Sequence, residues 1–148
     1  MKKLPILLFI AGLAIAANAT AQITKVSKTA KGNFAKQYPA AENAEWTNEV
    51  LSASVSFSLN GQGMVAEYNN KGIWKNTVQE NEFEKLPDMV KEGFRLSKYA
   101  DREVTDVKTV YYPGGVILYR LKVEKNDIEK KYLFFNTEGK LQREAITL

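Results

Sequence analysis

The sequence predicts an α+β fold built from two repeats, each a helix followed by about four strands, and three observations carry that prediction. The stretch Ala66-Glu67-Tyr68-Asn69-Asn70-Lys71-Gly72-Ile73-Trp74 returns near the end as Leu133-Phe134-Phe135-Asn136-Thr137-Glu138-Gly139-Lys140-Leu141. Both copies run from an aromatic residue through Asn and two polar residues to a Gly, whose freedom to take a positive φ suits the turn of a β-hairpin. Ser52 to Leu59 alternates serines with Ala53, Val55, Phe57 and Leu59, the period of two of a half-buried strand. Finally, one amphipathic stretch precedes each group of strands.

The first 21 residues stand outside this fold. Met1-Lys2-Lys3, an apolar run from Leu4 to Ala17 and then Asn18-Ala19-Thr20-Ala21 follow the order of a secretory signal peptide, with cleavage expected after Ala21. The run is shorter than the roughly 20 residues of a membrane-spanning helix, so no membrane anchor is expected after cleavage. Residues 22–148 are enough for one domain of two repeats, about 27–82 and 83–148. Lys and Arg number 21 against 17 Asp and Glu, and removal of Lys2 and Lys3 brings the mature chain close to balance. No basic cluster interleaved with aromatics remains, which argues against a nucleic-acid groove. Cysteine is absent, so the core alone must hold the fold, and there is no site for a lipoprotein anchor. The expected product is periplasmic or secreted.

In the mature chain, Ala30, Phe34 and Tyr38 fall at helical spacing with Lys28, Lys31 and Lys36 between them, giving a first helix that Ser27 or Thr29 caps and Pro39 ends. Ala41 to Trp46 turns into a strand, with Trp46 either a core anchor or a surface aromatic. After the Ser52–Leu59 strand, Asn60-Gly61-Gln62-Gly63 turns the chain and Met64, Ala66 and Tyr68 return on the apolar side. Ile73 to Val78 forms the next strand, with Trp74, Asn76 and Val78 expected on one side. Gln79 to Lys85 is a polar boundary. The second helix starts near Pro87 with Asp88 at its dipole-favoured end, carries Val90 and Phe94 inward and ends at Tyr99-Ala100-Asp101. Gly93 inside it weakens the helix unless close packing needs the missing side chain. Val104 to Tyr112, a Pro113-Gly114-Gly115 turn, Val116 to Glu124, Lys131 to Phe135 and Lys140 to Ile146 complete the second repeat.

Phe34 with Tyr38-Pro39, Ala44-Glu45-Trp46, Val55-Ser56-Phe57, the Ala66 to Trp74 stretch and Leu86-Pro87 together resemble the β-lactamase-inhibitor-like, PepSY-like family of Gram-negative envelope proteins. The resemblance covers the mature chain. It implies repeats whose strands join in a continuous antiparallel sheet, helices on one face and a concave face left available, in a protein without catalytic activity. It carries no inhibitory contact residue onto this sequence.

Elimination points the same way. The chain has no His and no Cys, so the usual catalytic base, thiol nucleophile and soft metal ligands are missing. Glu80 with Glu82, and Asp101 with Glu103, read as solvated turns, and no stretch offers a calcium loop or phosphate loop. No enzyme, metal or cofactor is expected.

Binding is the remaining class. If Tyr68 and Phe135 hold equivalent core positions, Ala66 and Leu133 join them and Tyr132 and Phe134 face the other way. Leu118 and Arg120 share that face by register, and Tyr112 is a further candidate, a set rich in the residue types of interaction hot spots. The expected partner is an envelope or extracellular protein or peptide, an enzyme to be inhibited included, with association of two copies a variant. The alternative is a small-molecule or lipid-handling module, which requires an apolar cavity between sheet and helices.

Overall fold

A computed structural model describes residues 25–126 and 128–146, so the signal peptide expected over 1–21 and its cleavage lie outside the described residues. The elements run α1 (Lys28–Gln37), β1 (Glu42–Asn48), β2 (Ser52–Leu59), β3 (Gln62–Asn69), β4 (Trp74–Asn81), a short 3-10 turn (Phe83–Lys85), α2 (Asp88–Arg95), β5 (Glu103–Tyr112), β6 (Val116–Glu124), β7 (Lys130–Asn136) and β8 (Leu141–Ile146). Short turns keep successive strands adjacent and opposed within β1–β4 and within β5–β8, and β4 pairs antiparallel with β5 across the longer connection that carries α2. All eight accordingly lie in one antiparallel sheet in sequence order. The protein is α+β, with both helices on the same face of that sheet.

The Ser27 side chain accepts from the Ala30 N–H at 3.0 Å and starts α1. Ala30 and Phe34 then turn inward onto Val55, Phe57, Met64, Ala66 and Tyr68. Phe34 meets Phe57 edge-on at 5.0 Å and Trp46 edge-on at 5.6 Å, so Trp46 is a half-buried neighbour of this core. α2 puts Val90 and Phe94 onto Val107, Leu121, Val123, Leu133 and Phe135, a second core cluster. It ends at Arg95, earlier than its sequence suggests. The Ser97 hydroxyl donates to the Phe94 carbonyl at 2.7 Å and accepts from the Tyr99 N–H at 3.2 Å, which turns the chain and drops Tyr99 into the core.

Two strand assignments differ from the sequence pattern. β4 continues to Asn81 because Gln79, Glu80 and Asn81 pair with Thr109, Lys108 and Val107 of β5, so the polar boundary contains strand. Trp74 and Asn76 do not share a face. Tyr68 pairs with Trp74 while Glu67 pairs with Asn76, which leaves Lys75 as an extra residue and swings Trp74 to the helix side. The same irregularity occurs in β8, where Phe135 pairs with Leu141 and Phe134 with Arg143, making Gln142 the extra residue. β1 is irregular too, its pairing to β2 shifting between Glu42 and Glu45 around Asn43 at φ 53°.

The two Asn–Gly turns tie the sheet to the helices. Asn69 Oδ1 accepts from the N–H groups of Lys71 and Ile73, and Asn136 Oδ1 from those of Glu138 and Lys140, all within 3.1 Å. Gly72 and Gly139, at φ 78° and 74°, complete the turns. Each turn then presses on the start of a helix. A Cβ on Gly72 would stand 2.6 Å from the Ala30 nitrogen, and one on Gly139 would stand 1.9 Å from the Met89 carbonyl oxygen. Asn33 donates to the Gly72 carbonyl at 2.8 Å. At α2, a Cβ on Gly93 would stand 1.9 Å from the Gly139 oxygen, so this mid-helix glycine is the clearance for the turn. Gly93→Ala is therefore expected to destabilise the protein by about 1–3 kcal/mol in urea denaturation, although alanine favours an isolated helix. An unchanged or raised midpoint would contradict the close approach.

Candidate functional site

The face of the sheet without helices carries the residues singled out in the sequence. Cross-strand pairing puts Val110 beside Leu118, Arg120 beside Phe134, Lys122 beside Tyr132 and Tyr112 beside Val116. Paired residues point the same way, so Tyr112, Leu118, Arg120, Tyr132 and Phe134 all lie on this face. Their exposure differs. Tyr112, Leu118, Arg120 and Tyr132 are half-buried, whereas Phe134 is only 5% exposed. Across the sheet, the Arg143 guanidinium sits 3.9 Å from the Phe134 ring centre, and Arg120 sits 4.7 Å from that of Tyr132. Phe134 is thus a floor under cationic side chains and not the exposed anchor that alternation suggests.

Charges on this face are organised in pairs. Lys108 contacts Glu80 at 2.6 Å and Asp106 at 3.8 Å, and Arg120 contacts Asp106 at 3.4 Å. Lys122 and Lys130 hold Glu124 at 2.9 and 3.4 Å. Their hydrogen bonds keep the Glu124 carboxyl below the usual range, the one from Lys122 contributing most. Arg120 Nε is buried and has no hydrogen-bond partner. Toward β2 the same face becomes smoother, with Ser54, Ser56 and Ser58 and the exposed Val65.

The opposite, helix-bearing face contains a second feature. Between the regions covered by α1 and α2 lies a cavity of about 530 Å³. At its edge the fully buried Thr77 hydroxyl accepts from Trp74 Nε1 at 2.9 Å and bonds the Tyr38 hydroxyl at 2.6 Å. Tyr111 donates to Gln79 Oε1 at 2.7 Å. Burial pushes the Tyr38 and Tyr111 phenols above their ordinary value, so both remain protonated and neutral at physiological pH.

Glu80 is engaged by Lys108, and Glu82 by Lys85 at 2.7 Å. Glu67 is lowered mainly by its hydrogen bond from Lys75, and Glu144 mainly by the one from Tyr99. Among the described residues no group of three or more acidic side chains could hold a metal ion. None of their helices is long and apolar enough to cross a membrane.

Sequence reasoning missed Arg143, Lys108 and Thr77, and it named an apolar cavity only as the requirement of its alternative reading, without residues to line it. Arg143 was legible only through the bulge at Gln142, since plain alternation puts it on the same side as Leu141. Thr77 and the cavity depend on how far the two helices extend over the sheet, which no local pattern records.

These features define an α+β protein of the BLIP-like fold. A BLIP-like protein from Bacteroides fragilis superposes with a TM-score of 0.75 at 24% identity, covering 82% of this chain and 86% of that one. A DUF2874 family protein from Bacteroides ovatus gives 0.74 at 23% identity, covering 82% and 88%. A structure from Bacteroides eggerthii whose name carries the word periplasmic gives 0.71 at 20% identity, covering 82% and 89%. At these identities the likeness carries the fold. No family model and no curated protein matches the sequence.

Thr77→Val removes the shared partner of Trp74 and Tyr38 while keeping the side-chain shape. It is expected to cost about 1–3 kcal/mol, because two polar groups lose their partner. Urea unfolding monitored by tryptophan fluorescence measures it, and a loss well under 0.5 kcal/mol would mean water replaces the threonine.

Proposed function

We propose that this protein is a secreted, non-catalytic binding module that docks an envelope or extracellular protein or peptide on the helix-free face of its sheet. The observation that carries the proposal is the grouping of Tyr112, Leu118, Arg120 and Tyr132 on a face that no described element covers. Tyr and Arg combine large contact area with directional bonding, and they dominate interaction hot spots. The Arg120 side chain is 22% exposed and lies fixed between Asp106 and the Tyr132 ring, which presents part of its guanidinium on this face. The BLIP-like fold of the Bacteroides fragilis structure is consistent with this role.

The architecture reads as a tandem of two PepSY-like units, about 27–82 and 83–148. The corresponding Asn turns, the matching extra residues Lys75 and Gln142, and the glycines set against both helix starts support that reading. With the signal-like N-terminus, it fits a protein of the periplasm or cell exterior.

A photo-crosslinking amino acid at position 132, compared with one at Lys31 on the outer side of α1, tests the docking face in the source envelope. A discrete crosslinked partner at 132 alone, lost on Leu118→Asp, is expected. Equal crosslinking at both positions, or indifference to Leu118→Asp in a folded variant, would reject this face. A product of twice the chain mass would identify the partner as a second copy.

A further inference from the structure

The cavity opens on the helix-bearing face and meets the docking face at its border, where Tyr112 lines both. Each helix is short, and each covers its own core cluster: α1 lies over Val55, Phe57 and Tyr68, and α2 over Leu121, Leu133 and Phe135. The strands between them keep one side uncapped, and Tyr38, Leu59, Met64, Trp74, Tyr111 and Ile117 wall the resulting space. Its volume of about 530 Å³ is of the size that holds a small organic molecule.

The chemistry of the walls narrows the occupant. No Asp, Glu, Lys or Arg lines the cavity, although charged residues make up 26% of the sequence. An ionised ligand would lose hydration there and gain no counter-charge. The polar atoms of Tyr38, Trp74 and Tyr111 are already engaged, Tyr38 and Trp74 with Thr77 and Tyr111 with Gln79, so these three residues offer ring surface. The Gln79 amide donates to Gln62 Oε1, and this amide pair also lines the cavity. We propose that the cavity binds a neutral, ring-containing apolar small molecule, packed against Trp74 and Tyr111, with one hydrogen-bonding group directed to the Gln62–Gln79 amides.

Phenylnaphthylamine, a neutral fluorescent two-ring compound with a third aryl group, tests this, with anilinonaphthalene sulfonate as its anionic counterpart. Fluorescence titration and calorimetry should give saturable binding of the neutral probe at one per chain, about tenfold or more tighter than the sulfonate. Ile117→Trp should weaken the neutral probe by about tenfold or more by filling the space. Gln79→Glu preserves an acceptor for Tyr111 and introduces a negative charge; it should have the same effect if Ile117→Trp does not fold. Tyr132→Ala, on the opposite face, should leave probe binding unchanged. The proposal is overturned by absence of saturable binding, by equal or tighter binding of the sulfonate, or by insensitivity to the folded cavity variants. Loss of binding in Tyr132→Ala would assign the probe to the docking face instead and also overturn it. Loss of the position-132 crosslink leaves this result untouched, so the two readings fail separately.

Discussion

The contact on which the rest of the structure depends is the seating of each Asn–Gly turn against the first turns of a helix. A sheet and a short helix can slide over one another when only apolar side chains join them. Here backbone meets backbone at distances that admit no Cβ, at Gly72 beside Ala30 and at Gly139 between Met89 and Gly93. Those contacts resist sliding of each helix along the strands. Phe34 and Phe94 are thereby aimed at Phe57 and at the Leu121–Leu133 region, and the internal polar groups of Asn69 and Asn136 are satisfied in the same step.

This explains which parts of the fold were legible in the chain. The Asn and Gly of each turn are demanded by local backbone geometry, so they appear as a pattern, as does the alternation of β2. The register that groups Leu118 with Arg120 and Tyr132 follows from that alternation together with the turn. What stayed hidden is whatever a single extra residue inverts. Lys75 separates Trp74 from Asn76, and Gln142 separates Leu141 from Arg143, so residues two apart point to opposite sides. The stopping point of α2 was hidden for another reason, since Ser97 competes with the helix through its own hydroxyl and Tyr99 is claimed by the core.

Both faces of the sheet carry aromatic residues, but they use them differently. On the helix-free side, Arg143 and Arg120 stack on Phe134 and Tyr132, and the adjoining acids tether Lys108 and Arg120. Side chains held in this way have little rotamer freedom left to lose. On the other side, Trp74 and Tyr38 are held by Thr77, which leaves their rings as fixed walls.

An open sheet has two outer strands, and here they are β1 and β8. Both are interrupted, β1 around Asn43 and β8 at Gln142, and β8 also presents Arg143 and Glu144. A strand approaching either border finds its ladder of donors and acceptors out of step after a few residues. Both borders thereby oppose growth of the sheet, and with it strand-by-strand assembly of copies into fibres.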